Sequence, residues 1–249
     1  CLPGYRAKNW DAFFMSVERS IAPYNFELII VGPTEPSENL KQKENVKYFK
    51  DFGSPARCLQ IASTLAEGKY MTWSSDDGYF LPGSLAQCIQ FFEEKMQRND
   101  GMAIKYAEGT NFSGQCPPDV YFTAWHHDDL KLEGIPKDYN IAPVGMYNLE
   151  HFREMGGLDC RWEHANFNCI DLSFRIQNAG GKMFLSPCLV SNHDWSWQHS
   201  DAGPIQQAYI QNDKPLMKEV WGQNQSSRVK IDYHNWTNSS SRWVRRFGV

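Results

Sequence analysis

Two neighbouring carboxylates, Asp76 and Asp77, follow Trp73-Ser74-Ser75 and precede Gly78 at the end of a predicted strand. Adjacent acids repel one another unless a cation or ordered donors compensate. A hard divalent ion takes one or two such oxygens and completes its shell from a substrate phosphate. By itself the pair also reads as an Asp-Gly turn between strand and helix. A second polar cluster, Trp125-His126-His127-Asp128-Asp129, has metal-ligand residue types. Adjacent histidines seldom both bind one ion, so it reads as a ligand-facing loop or as plain surface.

The elements that must hold these residues alternate through the first hundred positions. Cys1–Leu2 reads as a strand end, Trp10 to Ser20 as a helix with Phe13, Phe14 and Val17 inward, and Phe26–Val31 as a buried strand. Val46–Phe49 is a third strand. Pro55 to Glu67 is a helix closed by Gly68, Tyr70–Trp73 a fourth strand, and Leu85–Met96 an amphipathic helix. Such alternation implies right-handed crossovers and a largely parallel sheet. Ligands then sit beyond the carboxyl ends of the strands, at residues 3–6, 32–35, 51–54 and 74–78. The second half is less regular. Gly101–Tyr106 and Pro143–Met146 read as strands, Ile170–Ala179 as a helix, Lys182–Leu185 as a strand, and 203–220 as partly helical.

The 249 residues carry a net charge of −4, with 41% hydrophobic and 22% charged residues. That is globular composition, and a net acidic surface is a poor partner for nucleic acid or membrane. No apolar stretch approaches the ~20 residues of a spanning helix. The chain opens with neither a basic n-region nor an apolar h-region, inside what reads as a strand. Seven cysteines without a C-x-x-C pair argue against a disulfide framework or a zinc ribbon. Reduced, mostly buried thiols and a cytosol-like, cytoplasmic location are expected. The sequons at Asn111, Asn224, Asn235 and Asn238 matter only if the protein is secreted.

Asp76-Asp77-Gly78-Tyr79-Phe80-Leu81-Pro82-Gly83-Ser84-Leu85 resembles the aspartate motif of family 2 nucleotide-sugar glycosyltransferases of the GT-A fold. Phe26–Val31 is similar to their second strand, Arg57-Cys58-Leu59-Gln60 to an R-x-x-N/Q helix opening, and Ala66-Glu67-Gly68-Lys69-Tyr70 to their entry into the motif strand. Downstream, Gly156-Gly157-Leu158-Asp159, Asp171-Leu172-Ser173-Phe174-Arg175 and Gly180-Gly181 resemble the later motifs in order. The resemblance covers residues 1 to about 195. It implies an α/β, Rossmann-like, mostly parallel sheet flanked by helices, with a smaller mixed acceptor-side region. One domain is expected over 1–249: a nucleotide-sugar half at 1–100, an acceptor half at 101–200 and an extension at 201–249.

The resemblance also implies a reaction. A sugar passes from a nucleoside diphosphate donor to an acceptor hydroxyl, on a glycan or another molecule, with Mn²⁺ or Mg²⁺ on the diphosphate. Carried over by position, Asp77 holds the metal, and His193 in Ser191-Asn192-His193-Asp194 supplies a further ligand. Ser75 and Asp76 face the donor. Pro3, Tyr5, Arg6 and Gly32 line the base pocket, with Asp51 or Arg57 contacting the nucleotide. Two departures stand out. Gly32-Pro33 replaces the acidic residue that usually meets the base, leaving the nucleotide open. Cys169 occupies the position of the usual general base, and a thiol is a poor base for a sugar hydroxyl. The base is then Asp171, Glu163 or His164, or the reaction retains configuration without one. Trp195 and Trp197 could stack on sugar rings, and Arg242, Arg245 and Arg246 could meet an anionic acceptor. The alternatives are a nucleotidyltransferase, which would want a glycine-rich loop with lysine in place of Pro3-Gly4-Tyr5-Arg6, a non-catalytic sugar-binding domain, and a transferase that glycosylates modified DNA bases.

Overall fold

Leu28–Gly32 is an uninterrupted apolar run ending in glycine, and all five residues are buried. A strand apolar on both faces belongs inside a covered sheet. In the computed structural model this strand, β2, lies between β1 (Leu2–Pro3) and β3 (Val46–Lys50) and runs parallel to both. Cys1 N donates to Thr72 O at 2.8 Å and Ser74 N to Cys1 O at 3.3 Å, which seats β4 (Tyr70–Thr72) on the other side of β1. The structure describes residues 1–108, 121–122, 125–126, 138–193, 207–222 and 228–234.

Beyond β4 the sheet becomes mixed. Its remaining strands are β5 (Gly78–Phe80), β6 (Gly101–Glu108), β7 (Tyr121–Phe122), β8 (Trp125–His126), β9 (Asn140–Ile141), β10 (Gly145–Asn148) and β11 (Met183–His193). The order is β4-β10-β6-β11-β5, with β7 also on β6 and β8 paired with β9 apart. Only the β6–β11 pair is parallel there; β4–β10, β10–β6 and β11–β5 are antiparallel. Parallel pairing is therefore confined to the first strands and to β6–β11. No crossover helix separates β4 from β5, so the chain reverses at the Asp76-Asp77 turn and pairs with β11.

The helices are α1 (Trp10–Ile21), α2 (Glu38–Lys41), α3 (Pro55–Leu65), α4 (Ser84–Lys95), α5 (Leu149–Glu154), α6 (Ala165–Asn178) and α7 (Lys214–Trp221). A 3-10 turn Ala7–Asn9 leads into α1, and a π turn Tyr209–Asp213 leads into α7. Trp10, Phe13, Phe14 and Val17 of α1 and Cys58, Leu59, Ile61 and Ala62 of α3 enter one core with the central strands, whereas Leu65 stays half-buried. That core continues through Met102, Ile104 and Val190 into the second half. A second cluster packs Trp162, Phe167, Ile170 and Phe174 against Met217, Val220 and Trp221.

Two boundaries differ from the sequence expectation in ways that move site residues. The helix expected over Ile170–Ala179 begins five residues earlier, at Ala165, so Asp171 lies inside α6 and not at its start. The backbone just before α6 is held from far away: Asp213 accepts from Glu163 N at 3.0 Å and His164 N at 2.7 Å. No local signal in 160–170 announces that tie. The strand expected over Lys182–Leu185 runs on to His193. Pro187 reads as a stop, but register shifts between Leu185 and Leu189 and again before Ser191 absorb it. His193 therefore ends a strand and does not sit in a loop after one.

Candidate functional site

The carboxyl ends of β1 and β2 approach as closely as backbones can. A Cβ on Gly32 would lie 1.8 Å from Gly4 O, so only glycine fits there. Gly32 O accepts from Tyr48 Oη at 3.1 Å and from Asp51 N at 3.2 Å, which ties the end of β3 to the same point. Asp51 grips the start of α3: Arg57 Nε donates to Oδ1 at 2.9 Å and Nη2 to Oδ2 at 2.8 Å, while Gly53 N donates to Oδ1 at 2.7 Å. Ser54 caps α3, accepting from Arg57 N at 3.3 Å. Asp51 and Arg57 thus form one planar, bidentate pair.

Asp76 is a clamp. Its Oδ2 accepts from Tyr5 N at 2.8 Å and from Arg6 N, and its Oδ1 from Arg6 Nη1 at 2.6 Å. Asn9 Nδ2 donates to Asp76 O at 2.9 Å. This nearly buried carboxylate fixes the loop after β1, leaving the Tyr5 ring 43% exposed beside it. The first of the paired acids thereby brings Pro3, Tyr5 and Arg6 to the motif turn.

Asp77 faces a different set. Its carboxylate accepts from Ser75 Oγ, lies 3.8 Å from His193 Nδ1 and is 3.7 Å from Arg6 Nη1. Ser75 Oγ is also 2.9 Å from His193 Nδ1, and Ser191 Oγ is 3.2 Å from Nε2. The Tyr106 ring meets the imidazole edge-on at 5.2 Å. Burial pushes the Asp77 carboxyl up, but His193, Ser75 and Arg6 more than offset it and hold it below the usual carboxylate range. Gly78 makes room for the imidazole, since a Cβ there would meet His193 Nδ1 at 2.9 Å. The β5–β11 register, His193 opposite Gly78, brings the two ends together.

One carboxylate and one imidazole at this separation suit a divalent cation whose other ligands come from a diphosphate. Among the described residues no three His, Cys, Asp or Glu side chains converge as a complete protein-only cage. The donor set therefore fits a cation held jointly with its substrate.

The three candidate bases lie on α6 and in the loop just before it. Asp171 is fully enclosed: Arg175 Nε donates to Oδ2 at 2.7 Å and Trp221 Nε1 to Oδ1 at 2.8 Å. Arg175 also donates to Met155 O and Gly157 O, at 2.7 and 2.5 Å, so the pair knits α6 to the loop before it. Glu163 is buried, and its backbone is held by Asp213. Burial pushes the His164 imidazole down to about 4 and keeps it neutral, with its ring edge-on to Tyr209 at 6.0 Å. Cys169 Sγ takes a hydrogen bond from Trp73 Nε1 at 3.2 Å, and burial pushes its thiol up to about 12. Cys169 therefore stands behind the motif strand as a neutral wall.

Sequence reasoning missed Asn9, Ser191, Tyr106, Asp213 and Trp221. All but Ser191, which meets His193 two residues on, act through a partner distant in sequence. Of the other residues singled out, Trp125 and His126 are described only as the backbone of β8. His127, Asp128, Asp129, Asp194, Trp195, Trp197, Cys116, the four sequon asparagines and Arg242, Arg245 and Arg246 lie outside the described residues. Cys58, Cys88, Cys160 and Cys169 are buried free thiols, and Cys1 and Cys188 are half-buried ones.

No protein-family model matches the chain, and no curated protein matches its sequence. Solved structures do match in three dimensions. The crystal structure of S. aureus TarS 1–349 superposes with a TM-score of 0.55 at 15% identity, over 78% of this chain and 59% of that one. The same fragment in complex with UDP gives 0.54 at 15% identity, over 79% and 60%. GalNAc-T7 with UDP, GalNAc and Mn²⁺ gives 0.58 at 16% identity, over 78% and 42%. This chain has the GT-A fold. The GT-A chain spans about three fifths of the TarS fragment and less than half of GalNAc-T7. Among the described residues no helix is long and apolar enough to cross a membrane.

Proposed function

We propose that this GT-A chain is a family 2-like, metal-dependent glycosyltransferase that takes its sugar from a nucleoside diphosphate. The observation that carries the reading is the convergence of Asp77 and His193 through Ser75, at the edge where Asp76 clamps the β1 loop. A carboxylate, an imidazole and the Arg6 guanidinium share one edge there, which suits a diphosphate with its cation. Solved neighbours of the same fold hold UDP, and one holds Mn²⁺ as well.

In this reading the nucleoside lies over the carboxyl ends of β1–β3, beside Pro3, Tyr5, Gly32 and the Asp51–Arg57 pair. Asp77 and His193 hold Mn²⁺ or Mg²⁺. When bound, that cation offsets the charge that grows on the departing diphosphate. Arg6 adds a fixed positive charge beside it, held in place by Asp76. Asp171 is committed to Arg175 and Trp221, so the proton of an acceptor hydroxyl goes to Glu163 if configuration inverts. His164 is too weak a base at neutral pH to compete. The donor sugar and the acceptor are set by residues outside this cluster.

A second reading, a nucleotide-sugar-binding domain without transfer activity, draws on a specific observation. The usual base position is Cys169, a neutral buried thiol bonded to Trp73. Crystals grown with each nucleoside diphosphate and Mn²⁺ test the leading reading. It expects anomalous density for manganese between Asp77 and His193 with the diphosphate attached. Manganese elsewhere, or a nucleotide bound away from β1–β3, would overturn it.

A further inference from the structure

We propose that Cys88 and Cys188 are an oxidisable dithiol that closes to a disulfide, stapling α4 to β11, when the protein meets a low-molecular-weight disulfide. Cys88 is fully buried on the inward face of α4. Cys188 lies in the irregular stretch of β11, inside the register shift between Leu185 and Leu189, and is half-buried. A bulge re-aims the side chain it carries, and here it turns Cys188 onto α4: its Sγ is 3.8 Å from Ser84 O, one helical turn before Cys88. Side chains on a helix lean toward its N-terminus, so the Cys88 thiol lies over the Ser84 turn that Cys188 touches. Ser186 Oγ, donating to Cys188 O at 2.9 Å, holds the bulge in shape.

The two sulfurs are unequal in the way a disulfide-forming pair needs. The hydrogen bond from Cys88 lowers the Cys188 thiol, burial opposes it, and the Lys105 charge on neighbouring β6 adds to the lowering, leaving it at about 7. That makes Cys188 the better nucleophile of the two, and it is the sulfur nearer solvent. Cys88 is pushed well up, first by its bond to Cys188 and second by burial. Once Cys188 is capped, the first of these causes disappears and Cys88 can give up its proton.

The electrons balance with oxidised glutathione as the oxidant. The Cys188 thiolate attacks one glutathione sulfur, breaks that S–S bond and releases a glutathione thiolate. Cys88, losing its proton, attacks Cys188 Sγ and releases the second glutathione. Two protein thiols are oxidised and one glutathione disulfide becomes two thiols. The other neighbouring pair, Cys58 and Cys160, offers a contrast within the molecule. Both thiols are buried and both are pushed up by burial, so neither presents a nucleophile. The staple would fix β11 five residues before His193, which gives it a bearing on the site already described.

The test is to treat the folded protein with oxidised glutathione, alkylate it, and map the thiols without reduction by mass spectrometry. The expected product is a Cys88–Cys188 cross-linked peptide, lighter by two hydrogens and reopened by dithiothreitol, with Cys58, Cys160 and Cys169 still reduced. In Cys88→Ser a stable glutathione adduct should collect on Cys188. Recovery of wild-type Cys88 and Cys188 as separate alkylated thiols, or of a lasting glutathione adduct on wild-type Cys188, would overturn the proposal.

Discussion

Arg175 Nε donates to Asp171 Oδ2 at 2.7 Å across one turn of α6, and neither side chain is exposed to solvent. An aspartate and an arginine four residues apart on a helix usually form a weak surface pair. Here the pair is the centre of a buried network that includes Trp221 from α7 and two carbonyls from the loop before α6. Removing one partner strands the other charge in the core. Asp171→Ala should therefore cost about 3–5 kcal/mol of stability, read by chemical denaturation. An Asp171→Asn variant that keeps full stability but loses transfer would reverse this assignment and make Asp171 the base.

Asp213 gives the account a pH signature. Burial raises its carboxyl from 3.8 to about 6, against the pull of Glu163 N, Asn212 and His164 N. A folded pKa above the unfolded one means ionised Asp213 destabilises the fold. The cost is full above pH 6 and is relieved as pH falls from 6 toward 3.8. Two units correspond to roughly 3 kcal/mol. Asp213→Asn cannot titrate, so its melting temperature relative to wild type should rise between pH 4 and pH 7 and then level off. A difference that stays flat across that range would contradict the raised carboxyl.

The Asp51–Arg57 pair binds the end of β3 to the start of α3, so Arg57 holds structure in addition to its proposed role beside the nucleotide. Arg57→Ala leaves a nearly buried carboxylate without its partner. A loss of about 1–3 kcal/mol is expected on denaturation, together with weaker nucleotide binding. The double variant Asp51→Ala/Arg57→Ala should recover part of that stability and none of the affinity. Unchanged nucleotide affinity in both would remove the pair from the binding surface.

Gly78 tests the imidazole's position without touching a polar group. The added methyl of Gly78→Ala meets His193 Nδ1 at 2.9 Å and forces the ring to shift. Nucleotide affinity in the presence of Mn²⁺ should fall about tenfold, the equivalent of about 1.4 kcal/mol. Affinity with chelator present should not change. Equal losses under both conditions would mean that the substitution disturbs the strand and not the metal pair.

The fold and the motif turn were legible because their signals are local. The buried run at Leu28–Gly32, the Ser54-Pro55 start of α3 and the Asp76-Asp77-Gly78 turn each carry their reason within a few residues. The bases were not legible. Asp171 looks like a helix-opening acid until Asp213, some fifty residues on, is seen to hold the backbone just before an earlier helix start and Trp221 to close over the carboxylate. The length of β11 was hidden for a related reason: Pro187 reads as a strand breaker, and only pairing with β6 shows that a bulge accommodates it. In the sequence Asp76 and Asp77 read as one adjacent pair at a strand end. That reading could not show that one carboxylate would be consumed by Tyr5 and Arg6 while the other faced His193.

The central claim is that Asp77 and His193 act together on a metal-bound nucleoside diphosphate. Calorimetric titration of UDP into the wild type, Asp77→Asn and His193→Ala, each with Mn²⁺ and again with chelator, measures it most directly. The account predicts binding by the wild type that requires Mn²⁺, and loss of that metal-dependent part in both variants, with melting temperatures little changed. UDP binding of equal strength with and without Mn²⁺, the same in all three proteins, would contradict it.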